Sequence, residues 1–103
     1  MVVINYSGYD FEFNEEKDLI LRTERNISFR KVIDIINDGK CNVITDHPNL
    51  KKYPRQFIYE INIEGYMYVV PAVKSGNKIF LKTIYPSRKA TKKYRRSNYE
   101  KND

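Results

Sequence analysis

Between Phe57 and Tyr85 apolar residues recur at every second position, broken twice at turn-forming residues, and this pattern constrains the fold more than any other feature. Phe57, Tyr59, Ile61 and Ile63 alternate with Ile58, Glu60 and Asn62, the signature of a strand with one buried face. Glu64-Gly65 then turns the chain into Tyr66–Val70, and Ser75-Gly76-Asn77 turns it into Lys78–Tyr85. The spacing predicts three strands in an antiparallel meander. Val43-Ile44 offers a short fourth strand, ended by the turn formers of Asp46-His47-Pro48-Asn49, and Lys51–Arg55 reads as a loop.

Upstream the period changes. After Phe11-Glu12-Phe13, Asn14 stands as an N-cap, with Glu15, Glu16 and Asp18 in the first turn, where acids suit the helix dipole. A helix over about 15–25 follows, and Asn26 tolerates the left-handed conformation that ends it. Ser28 caps a second helix in which Phe29, Val32, Ile33 and Ile36 line one face, and Gly39 stops it. Downstream, Pro86 ends the last strand and Ser87 caps a terminal helix over about 88–97. The expected fold class is α+β: two N-terminal helices packed on a three- or four-stranded antiparallel sheet, with a basic C-terminal helix. At 103 residues the chain holds one core, so residues 1–103 are expected to form a single domain with 1–10 and 97–103 loosely ordered.

Apolar residues make up 41% of the chain and charged residues 31%, too apolar for a disordered protein. Runs such as Tyr66–Val73 fall well short of the roughly 20 apolar residues of a membrane-spanning helix. The N-terminus shows no signal-peptide pattern, so no membrane association and a cytoplasmic location are expected. Cys41 and His47 are each the sole residue of their type; an internal disulfide is excluded, and neither a metal nor another cofactor is expected.

The net charge of +6 is unevenly spread. Residues 1–50 carry six Lys or Arg against nine Asp or Glu, whereas residues 51–103 carry thirteen against four. Such a basic half raises the local concentration of polyanions, RNA first among them. The segment Lys82–Tyr94 concentrates the chemistry that phosphate recognition needs. Arginine forks onto phosphate oxygens, lysine supplies a point charge, and a helix start offers free N–H groups. Ribose 2′-hydroxyl attack requires mainly in-line positioning and charge stabilisation, so a basic, aromatic site suffices without metal. On this reading Arg88 and Lys82 neutralise the scissile phosphate, and Tyr85, Lys89, Tyr94 or His47 handles protons. Ser87, Lys89, Thr91, Lys92, Lys93, Tyr94 and Arg55 are the expected RNA contacts, with tyrosine stacking weighed against ordinary amphipathic packing. A solvated basic tail, or a non-catalytic module that binds nucleic acid or protein through the basic helix, are the alternatives.

The order Phe11–Lys17, Glu24–Phe29 with Val32-Ile33, then the sheet and the ending Ile84-Tyr85-Pro86-Ser87-Arg88-Lys89-Ala90-Thr91-Lys92-Lys93, resembles BrnT-type toxins of bacterial toxin–antitoxin systems over residues 11–95. Asn14 stands where that family usually has Asp, and Phe13 where it often has Trp. The Ser-Arg-Lys-Ala-Thr run is the most specific match, and Arg88 is the residue it carries over first. The resemblance implies a RelE-like fold and a type II toxin that cleaves RNA without metal and blocks translation. It also implies a cognate antitoxin partner.

Overall fold

A computed structural model describes residues 1–6, 8–41, 43–46, 48–49 and 51–101, without the side chains of Tyr6, Val43 and 97–101. Among the described residues seven strands and three helices follow in the order β1 (Val2–Tyr6), β2 (Tyr9–Phe13), α1 (Glu15–Arg25), α2 (Phe29–Asn37), β3 (Val43–Asp46), β4 (Gln56–Ile63), β5 (Tyr66–Ser75), β6 (Lys78–Leu81), β7 (Tyr85–Pro86) and α3 (Arg88–Lys101). The strands form one mixed sheet in the order β1-β2-β6-β5-β4-β3, with β7 also paired to β5. No helix among the described residues is long and apolar enough to cross a membrane.

The fold is α+β, but the sheet is larger than the sequence pattern implies. Residues 1–10, expected to be loose, supply β1 and the start of β2 as an antiparallel hairpin. That hairpin joins the sheet through a parallel pairing of Asp10–Glu12 with Lys78–Phe80, so the sheet is mixed rather than purely antiparallel. The physical reason is non-local: β2 finds its partner across nearly 70 residues of chain, and no periodicity within the hairpin reveals it.

The helices form where their caps dictate. Asn14 Oδ1 accepts from the Lys17 N–H at 2.9 Å, and Asn26 closes α1 in the left-handed region at φ 53°. Ser28 Oγ accepts from the Lys31 N–H at 3.1 Å to begin α2. A second link tightens the corner: buried Asp18 accepts from the Phe29 N–H at 2.7 Å and pairs with Arg22 at 3.1 Å. Between β4 and β5, Glu64 and Gly65 both take positive φ, as a two-residue hairpin requires.

The sheet buries its two faces differently. On one face Phe11, Phe13, Tyr59, Ile61, Val70, Ala72, Ile79, Leu81 and Ile84 share a buried cluster with Leu21, Ile27, Phe29, Val32 and Ile33 from the helical segment. On the other, Met67 and Val69 form a smaller cluster with Ala90, against which Ile58 and Tyr94 pack. Helix α3 therefore lies across the face of β5 opposite the main core.

Candidate nucleic-acid interface

A one-residue bulge sets the geometry between the last strands and α3. Leu81 pairs with Ala72 and Tyr85 with Val69, so three residues, Lys82 to Ile84, face only Pro71 and Val70. Leu81 and Ile84 consequently both point into the main core, where each is fully buried. Lys82 and Tyr85, three residues apart, would sit on opposite faces of a regular strand. The extra residue restores both to the α3 face: Lys82 runs beside Pro71, and Tyr85 beside Val69. The Arg25 Nη1 donates to the Ile84 carbonyl at 2.8 Å and holds the bulge to the end of α1.

The start of α3 is clamped to β5. The Ser87 N–H donates to the Met67 carbonyl at 2.9 Å, and Ser87 Oγ accepts from the Ala90 N–H at 3.1 Å as the helix N-cap. Thr91, only 2% exposed, accepts from the Met67 N–H at 2.9 Å and donates to the Ser87 carbonyl at 2.7 Å. Ala90, Thr91 and Tyr94 turn inward, leaving Arg88, Lys89, Lys92, Lys93, Arg95 and Arg96 on the exposed arc. No acid interrupts that arc from Arg88 to Arg96.

Two of these cations stand in the first turn, where the helix dipole opposes positive charge by roughly 0.3–1 kcal/mol each at low salt. The first turn contains no acid to offset them. The backbone N–H groups of Arg88 and Lys89 take no hydrogen-bond partner among the described residues. An anion placed there removes both costs together.

The expected site residues divide accordingly. Arg88, Lys82 and Tyr85 share one side of the sheet, with Tyr85 40% exposed and Lys82 Nζ 3.4 Å from Gln56 Oε1. Lys89, Lys92 and Lys93 are exposed on the same helix, and half-buried Tyr94 packs on the Met67–Val69 cluster. The hydroxyl of buried Thr91 is engaged in both directions within the protein, and Ser87 Oγ caps the helix, so both residues position α3. Arg55 lies away from α3, on the rim of a cavity on the opposite face of the sheet. His47 falls outside the described residues.

Two residues the sequence pattern did not single out join the α3 face. Gln56 holds Lys82, and Glu60 flanks Val69 on the side away from Tyr85. Their strand phase, shared with Ile58, is the signal that marks them. No group of three or more His, Cys, Asp or Glu among the described residues is arranged to hold a metal. Protein-family models, curated proteins and solved structures contain no match to the chain.

Proposed function

We propose that the protein is a type II toxin, an RNA-cleaving enzyme of the RelE-like class that acts in the cytoplasm. RNA lies along α3, with the scissile phosphate beside Lys82, Tyr85 and Arg88. The observation that carries this reading is the unbroken cationic arc from Arg88 to Arg96, mounted on a helix whose start is fixed to the sheet by Ser87 and Thr91. A solvated tail has no need of such a mount. The likeness of Ser87–Thr91 and its preceding strand to BrnT-type toxins adds the RNase assignment, and the grouping of α1 and α2 residues over one sheet face is compatible with the RelE-like plan.

In this mechanism the ribose 2′-hydroxyl attacks phosphorus and the bond to the 5′-oxygen breaks, leaving a 2′,3′-cyclic phosphate and a 5′-hydroxyl. Arg88 and Lys82 stabilise the charge gathering on the non-bridging oxygens. One group accepts the 2′ proton and one returns a proton to the 5′ oxygen; Tyr85 is placed for one of these steps, and Lys89, Tyr94 and His47 are the other candidates. The antitoxin partner supplies an acidic segment that covers the same arc.

Incubating the purified protein with RNA, with and without EDTA, tests the proposal. Cyclic-phosphate ends that form equally in both, and that vanish in Arg88→Ala with affinity largely retained, support it. Tight binding without cleavage supports the second reading, a non-catalytic RNA-binding module. One observation favours that alternative: Lys82 reaches along the sheet to Gln56.

A further inference from the structure

The face of the sheet opposite α3 carries a feature that RNA binding does not use. Beside the end of α2 lies an open cavity of about 940 Å³, lined by Ile36 and Asn37 and by residues of the strands and their connections. Four aromatic residues, Tyr9, Phe11, Phe57 and Tyr59, line it, together with Ile44 and Ile79. Its size and apolar walls fall within the range of small-molecule pockets, roughly 300–1,000 Å³.

The charges at this cavity are specific. Lys74 and Arg55 both line it, and the Lys74 N–H donates to the Arg55 carbonyl at 3.1 Å, so the two residues are backbone neighbours at its rim. Lys74 Nζ lies 5.1 Å from the centre of the Tyr9 ring, which places this exposed cation over aromatic surface. The Arg55 guanidinium makes no ion pair or hydrogen bond with the described residues. Among the described residues Asp46 is the one acid in the lining, giving two positive charges against one negative. Burial pushes the Tyr59 phenol up to about 12, helped by the nearby Cys41 and Tyr9, so at neutral pH its hydroxyl remains a neutral group.

We infer that this cavity binds a small aromatic monoanion, a one- or two-ring apolar body bearing a single carboxylate or sulfonate. The rings occupy the space among Tyr9, Phe57 and Tyr59, and the anionic group meets Arg55 and Lys74. The net single positive charge of the lining matches one negative charge, and Asp46 disfavours a dianion. Polymeric RNA is a poor occupant, because the cationic arc that would hold its backbone is on the other face.

The probe is 8-anilinonaphthalene-1-sulfonate, compared with the uncharged N-phenyl-1-naphthylamine, titrated by fluorescence and calorimetry into the full chain. The expected result is one sulfonate bound per chain, with the uncharged compound weaker by about tenfold. Arg55→Ala combined with Lys74→Ala weakens the sulfonate by about tenfold and brings the two probes together. Ile44→Glu, at a position 62% exposed and therefore tolerant of the change, also weakens it, whereas Asp46→Asn tightens it. Lys31→Ala, an exposed cation on α2, serves as the charge control and leaves it unchanged. Circular dichroism establishes that each variant is folded. Several sulfonates bound per chain, or an affinity unmoved by the Arg55 and Lys74 changes and by Ile44→Glu, overturns the inference. RNA cleavage is read separately, so a failure here leaves the proposed function standing.

Discussion

Thr91 joins helix α3 to strand β5 by accepting a hydrogen bond from the Met67 N–H at 2.9 Å. Both residues are almost wholly buried, so no water replaces the hydroxyl when it is lost. Thr91→Val keeps the shape and strands a buried donor, a change expected to cost about 1–3 kcal/mol. Urea denaturation measures it. Thr91→Ser keeps the hydroxyl and should recover part of the loss. If Thr91→Ser weakens RNA binding without changing stability, the residue touches RNA after all.

The arc on α3 makes a quantitative prediction about salt. Each cation that neutralises a phosphate of single-stranded RNA contributes about 0.7 to the slope of log affinity against log salt concentration. Lys92→Ala and Lys93→Ala together should therefore flatten that slope by about 1.4. Arg55→Ala, on the opposite face, should leave it unchanged. Filter binding over a range of potassium chloride concentrations separates the two cases.

The corner between α1 and α2 rests on one carboxylate. Asp18, 3% exposed, holds the Phe29 N–H and Arg22 together. Asp18→Ala removes a charged acceptor from a buried donor and should destabilise the protein by about 1.5–3 kcal/mol. Asp18→Asn, which keeps an oxygen for the Phe29 N–H, should lose less. Thermal denaturation of the two variants gives the order.

Alkaline pH acts through Tyr59. Its phenol is pushed up to about 12 by burial, while an unfolded tyrosine titrates near 10. Between these values the unfolded chain releases this proton first, so folding stability falls as pH rises through the window. The stabilising contribution is whole below about pH 10 and is lost towards pH 12, with a ceiling of about 3 kcal/mol. Tyr59→Phe removes this part of the slope. Comparing denaturation midpoints of the two proteins at pH 9 and pH 11 isolates it from the other titrating groups.

What the sequence disclosed was local. Asn14, Asn26 and Ser28 define α1 and the start of α2 because capping depends on neighbours a few residues away. The alternation in β4 and the Glu64-Gly65 turn are legible for the same reason. The N-terminal hairpin was not legible, since Phe11 and Phe13 acquire their meaning only beside Ile79. The bulge was equally hidden: strict alternation from Lys82 to Tyr85 predicts opposite faces, and only pairing with β5 reveals the extra residue. Among the site residues, charge marked the helix whose cations are exposed, but it did not distinguish Arg55 from the α3 cations or show that Thr91 faces inward.

The parallel pairing of β2 with β6 also sets an order of events during synthesis. Residues 10–12 leave the ribosome long before residues 78–80, the strand that must receive them. Closing so long a loop is slow, whereas the adjacent β4–β5 hairpin can zip up quickly. The first hairpin to be made is therefore among the last elements to complete its pairing, and until then the β2 edge that receives β6 stays open. Until β6 has been translated, that unpaired edge is a template on which another chain could pair.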